Sequence, residues 1–228
     1  MKRIMTLILL TGLCTPLAWA ARAPLTEPQL SRELQLLEEG FQPDRIFRLR
    51  IAALVASKDE YPLDVQGRIV RLQCWAMPAE WDSEYRAVVA FADQQLAIAR
   101  ARKDRITETG LLTCRGFHQQ LLGNMDQAKA DYQQALVLAR RLGDRLQEAD
   151  ILSFRGDMYA YQGELAEGLM ELIEAHKRFE SLGQDGKARE VLAQIANAYR
   201  RMGLYERAEG YFKELEHDYG TLGDQERL

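Results

Sequence analysis

The sequence predicts an all-α fold, a right-handed superhelical solenoid of about five antiparallel helix hairpins. Three observations lead there. Glycine recurs at Gly123, Gly163 and Gly203 and again at Gly143, Gly183 and Gly223, two interleaved series that share a 40-residue period. Between glycines, apolar residues return every three or four positions, as in Ile151, Leu152, Phe154, Met158 and Tyr159, then Leu165, Leu169, Leu172 and Phe179. Each glycine directly follows such a run, where a left-handed backbone closes a helix without strain.

Taken in chain order, residues 1–20 stand apart. Lys2 and Arg3 precede the apolar stretch Ile4 to Leu13, Thr15 and Pro16 break it, and Ala18-Trp19-Ala20 offers small residues before a cut. That is the pattern of a secretory signal peptide, too short to span a bilayer comfortably. The mature chain is expected to be exported, with the bacterial periplasm as its compartment. Residues 21–63 read as an N-terminal helix pair, Glu27–Glu39 and Asp44–Ser57, with Pro43 suited to a helix start. Residues 64–104 form a degenerate copy of the repeat, its first helix ended by Pro78, and Lys103-Asp104-Arg105 stands where Gly143-Asp144-Arg145 stands later. Residues 105–228 hold three clear copies, continuous with the rest in one solenoid. The chain stops where a further unit would begin, so the last helix, Arg207 to Tyr219, either faces solvent or is covered by something else.

Cys74 and Cys114 fall 40 residues apart, in the same slot of successive units. Neighbouring helix axes lie about 8–10 Å apart, and a disulfide needs Cα atoms within about 7 Å. Two half-buried thiols are therefore expected, with a bridge as the alternative.

Aligned at the 40-residue offset, the copies share a set of slots. One holds Leu112, Leu152 and Leu192; the next, Arg115, Arg155 and Ile195; then Gly116, Gly156 and Ala196; then Gln119, Tyr159 and Tyr199. In the second helix, Ala128, Gly168 and Ala208 share a slot, as do Tyr132, Leu172 and Phe212. This pattern resembles the tetratricopeptide repeat, whose signature runs W-x₂-L-G-x₂-Y, A-x₃-F and P. The copies depart from it in a longer period, in Leu for Trp, and in Arg140, Glu180 and Gly220 at the proline slot. The Leu-x-x-Arg-Gly start and Leu-Gly-Asp end also resemble the exported repeat segments of bacterial receptors. Those segments precede a membrane span and an output module such as a GGDEF diguanylate cyclase or a histidine kinase.

A formal charge of −4, made more acidic still by loss of Lys2 and Arg3, argues against a nucleic-acid backbone as partner. No phosphate-binding glycine loop, nucleophile elbow or metal-ligand spacing occurs, so no cofactor, metal or catalytic residue is assigned and the chain reads as a non-enzyme. His118, His176 and His217 sit in different copies and are expected on solvated helix faces. The mature chain is given no membrane span.

The resemblance implies that first helices line a concave groove for a peptide or protein partner. On that reading Phe117, Gln120, Asp157, Tyr161, Asn197, Arg200 and Arg201 face the groove, although only Asn197 matches the asparagine of a carboxylate clamp. Arg115 and Arg155 carry two readings: structural pairing with Glu148 or Asp150, or an anion-binding ladder across units. Tyr159, Tyr161 and Tyr199 are expected mainly in the core. The alternatives to a peptide-binding scaffold are a sensory input module, standing alone or truncated, and self-association through the C-terminal repeat.

Overall fold

A computed structural model describes residues 25–39, 45–78 and 81–225. Residues 1–24, and with them the leader expected over 1–20, lie outside that range, as does Pro43. Ten α-helices account for nearly all of it, and no strand occurs among the described residues. None of these helices is long and apolar enough to cross a membrane. The helices fall into two compact units divided after Ala76.

The first unit contains α1 (Glu27–Glu39), α2 (Arg45–Ala56) and α3 (Leu63–Ala76); its first two helices have nearly the ends expected from sequence, and both pack on α3. Leu30, Leu34 and Leu37 project at helical spacing from α1 and pack with Phe47, Ile51 and Leu54 of α2 and Ile69 and Leu72 of α3. Two forked ion pairs bind α1 to the other helices. Arg50 grips Glu33 at 2.6 and 2.9 Å, and Arg68 grips Glu38 at 2.9 and 2.6 Å.

The second unit is a helical-repeat solenoid of packed pairs: α4 (Asp82–Arg102), α5 (Arg105–Leu121), α6 (Met125–Leu142), α7 (Arg145–Gln162), α8 (Leu165–Ser181), α9 (Asp185–Arg201) and α10 (Tyr205–Gln225). Consecutive helices pack on one another, and α5, α7 and α9 also touch in sequence along one layer. The turns show why the glycines repeat. Gly143 takes φ 69°, and Asp144 donates its backbone N–H to Ala139 O at 3.0 Å, sealing the end of α6. Asp144 then caps α7, its Oδ1 accepting from Gln147 N at 3.0 Å. Asp104 repeats this cap on α5 through Thr107 N, with Lys103 at φ 58° in glycine's place.

Gly223 departs from its series. Instead of closing the last unit it lies within α10, which runs on to Gln225. Glycine permits a left-handed stop and weakens a helix, yet it does not impose an end. The slot of Phe212 also differs along the repeat. Tyr132 and Leu172 are fully buried there, whereas Phe212 is 39% exposed, because no described helix packs over the outer side of α10.

Candidate partner-binding surface

The layer formed by α5, α7 and α9 brings together four of the seven residues expected at the groove. Tyr132 Oη donates to Gln120 Oε1 at 3.1 Å, and Gln120 also hydrogen-bonds the Asp157 carboxylate. Arg201 approaches Asp157 from α9, donates Nη1 to Ala160 O at 2.9 Å, and lays its guanidinium 5.3 Å over the Tyr161 ring. Tyr161 itself is 64% exposed, so this tyrosine belongs to the surface and not to the core. Tyr199, by contrast, is buried and stacks on Tyr211 at 5.5 Å. Tyr159 is half-buried, with the Lys129 ammonium 5.0 Å from its ring centroid.

Three residues stand beside that group. Phe117 packs on Phe154 of the next first helix, with centroids 5.4 Å apart. Asn197 turns back to donate to Ala193 O at 3.0 Å and accepts from Arg200 Nη2 at 3.2 Å, so those two pair with each other on exposed α9.

Asp157 is the electrostatically tense member. Burial pushes its carboxyl above the usual aspartate range, and the opposing pull of Arg201 and the Gln120 hydrogen bond offsets that only in part. A raised native value means the folded chain holds the proton to higher pH than the unfolded chain does. Stability therefore declines as pH climbs from the ordinary aspartate value, about 4, through the raised one. Asp157→Asn is expected to raise stability at neutral pH, and the gain should vanish in acid. Melting curves at both pH values check this.

Two further contacts join α7 to α9 and were not read from the sequence. Ser153 Oγ donates to Gln194 Oε1 at 3.1 Å, and Lys187 Nζ binds both oxygens of Asp150 at 2.7 and 2.9 Å. The usable signal was the repeat offset: partners on adjacent first helices lie at i+37 or i+41, near one period.

Arg115 and Arg155 find carboxylates, but neither Glu148 nor Asp150. Arg115 forks onto Asp131 at 2.8 and 2.6 Å and also reaches Asp93. Arg155 forks onto Glu171 at 2.8 and 2.6 Å and donates to Gln133 Oε1 at 2.6 Å. Each thus joins the partner helix of its own hairpin to the helix before it. Asp131 and Asp93 lift the Arg115 guanidinium further above its already high range. Glu148 is held instead by Arg140 and Arg178, and Asp150 by Lys187.

Two further expectations are corrected. His118 is buried, not solvated. Its Nδ1 lies 2.8 Å from Cys114 O, its ring packs on Phe117, and burial pushes its pKa down. His176 is half-buried, with Nδ1 3.0 Å from Ala188 O, and only His217 is exposed. Cys74 and Cys114 are fully buried and both disulfide-bonded, not thiols.

Among the described residues no group of three or more His, Cys, Asp or Glu side chains could hold a metal ion. No family model matches the chain, and no curated protein matches it. Among solved structures it is similar to the crystal structure of BtubC (BKLC) from P. vanneervenii, with a TM-score of 0.61 at 14% identity. The match covers 86% of this chain and 80% of that one. At that identity the likeness concerns the fold alone.

Proposed function

We propose that this chain is a non-enzymatic scaffold of tetratricopeptide type, exported to the bacterial periplasm, which binds an extended peptide or a partner helix on its first-helix face. The observation that carries the reading is the run Gln120, Asp157, Arg201 and Tyr161. It draws on three successive first helices and presents donors, an acceptor and an aromatic face along one strip. Such a strip suits main-chain and side-chain recognition of an elongated partner. The disulfide-bonded cysteines support export, because such bonds persist in oxidising compartments.

The test is affinity capture from a cell-envelope extract with the mature chain and with a Gln120→Ala/Tyr161→Ala/Arg201→Ala variant. A partner held by the first and lost by the second is the expected result. A partner retained equally by both would sink the proposal.

The second reading, a sensory input module of a GGDEF or histidine-kinase receptor, is favoured by the Leu112-x-x-Arg115-Gly116 and Leu152-x-x-Arg155-Gly156 starts. A coding sequence downstream that carries an apolar span and an output domain would select it.

A further inference from the structure

Glu108 and Glu148 occupy the same position in successive repeats, and their surroundings differ in a way that exposes a second site. Each is a buried carboxylate near the start of a first helix. Each is reached by an arginine eight residues upstream, Arg100 Nε at 2.9 Å and Arg140 Nε at 2.8 Å. Their second cations differ. Glu148 receives Arg178 from α8 at 2.9 Å, and Glu174 steadies that guanidinium at 2.8 Å. The same two positions on α6 hold Leu138 and Gln134. Glu108 turns instead to Arg105, in the first turn of its own helix.

One repeat therefore has a long arginine side chain crossing from the second helix where the other has none. What remains beside Glu108 is an open cavity of about 320 Å³. Gln134, Val137, Leu138 and Leu142 of α6 line it, with Arg105 and Arg141. Val137, Leu142 and Arg141 are exposed, and Arg105 is half-exposed on its side chain. Arg141 has no ion pair or hydrogen bond among the described residues.

The charge at this place is lopsided. Arg100 and Arg105 bind the Glu108 carboxylate, and Arg141 adds a third guanidinium to the wall of the same cavity. Burial alone would raise Glu108, but hydrogen bonds from Arg100 and Arg105 outweigh it and hold the carboxyl below its usual range. Glu108 thus neutralises one guanidinium at neutral pH and leaves an excess of positive charge. Arg102 and Lys103, both exposed, extend that excess along the edge in a chain whose net charge is −4.

The lining side chains on α6 follow a helical stripe at i, i+3, i+4, i+7 and i+8, about 12 Å long. A stripe of that length, apolar with a cation at its end, matches two turns of a facing helix. The geometry points to a docking site for an acidic amphipathic helix of a partner protein. A leucine-like side chain enters against Val137, Leu138 and Leu142, and a carboxylate one turn away meets Arg141 and Arg105. The site lies on α6 and the start of α5, apart from the strip proposed for peptide binding.

The probe is a capped, alanine-based helical peptide carrying one Leu with Glu one turn to either side, labelled with fluorescein and followed by anisotropy against the full mature chain. Binding that falls with salt is expected. Arg141→Glu should weaken it by about tenfold or more, and Leu138→Arg, which copies Arg178, should close the cavity and weaken it as much. Arg145→Glu reverses another exposed charge, at the start of the next repeat and outside the cavity lining, and should change affinity by no more than about twofold. The Gln120→Ala/Tyr161→Ala/Arg201→Ala chain should bind the peptide normally. No binding, equal binding of a Lys-for-Glu peptide, or equal losses from Arg145→Glu and Arg141→Glu would overturn the site. Loss in the triple variant would assign the peptide to the first-helix face and overturn it as well. Arg141 is exposed, so Arg141→Glu leaves the fold intact, and a thermal melt verifies that.

Discussion

Gly168→Ala is expected to lower the melting temperature, although two arguments from sequence say it should raise it. Ala128 and Ala208 hold the same position in the neighbouring repeats, and alanine favours a helix interior by about 1 kcal/mol over glycine. The contacts reverse the sign. A Cβ at Gly168 would lie 2.6 Å from Gly156 O, 2.7 Å from Ala160 N and 3.1 Å from Ala160 Cα. All three are backbone atoms of α7, so no side-chain rotation relieves the clash and the two helices must separate. Forced separation in a packed layer costs about 1–3 kcal/mol or more, and the expected net loss is about 2 kcal/mol. For a chain of this size that is roughly 4–8 °C. Gly210→Ala is the matched control, since its added Cβ meets nothing within 4 Å in α10. It should gain stability by about the propensity difference. Equal gains from both substitutions would show that α7 and α8 are not in such close contact.

Gly168 also marks the limit of what a repeat pattern conveys. The 40-residue period located the helices because glycine stops and apolar spacing are local properties. Gly143 and Gly163 do sit at left-handed stops, at φ 69° and 91°. Gly223 does not, because glycine ends a helix only where the residues after it and the packing around it favour a turn. Slot identity likewise said which residues recur but not how closely each pair of helices approaches. Ala128 and Gly168 therefore looked interchangeable. The candidate surface was legible as a face: Gln120, Asp157, Tyr161 and Arg201 meet as the repeat geometry implies. Its cross-helix partners were not, because Asp150 and Lys187, like Ser153 and Gln194, are neighbours only once two copies are stacked. His118 was misplaced for a related reason. Its burial reflects Phe117 and Tyr85 packing on its ring, which no spacing rule reports.

Arg155→Ile should be among the most damaging single changes, and two further changes should restore much of the loss. Arg155 is 8% exposed and shares its guanidinium between Glu171 and Gln133. Its removal leaves the half-buried Glu171 carboxylate without its guanidinium, at a cost of about 3 kcal/mol. The repeat itself supplies the remedy. The positions of Gln133, Arg155 and Glu171 hold Ile173, Ile195 and Tyr211 one period later, an apolar version of the same triad. There Ile195 is fully buried and Tyr211 stacks on Tyr199. The second repeat has Tyr159 at the position of Tyr199, ready to receive the same partner. The chain with Gln133→Ile, Arg155→Ile and Glu171→Tyr together should therefore recover to within about 1 kcal/mol of the parent, as apolar replacements of ion-pair triads can. Chemical denaturation of the parent, the single variant and the triple variant measures the coupling directly. A single change that costs almost nothing would mean that Arg155 is solvated rather than clamped. A triple variant no better than the single would mean that the third repeat owes its stability to contacts outside the triad.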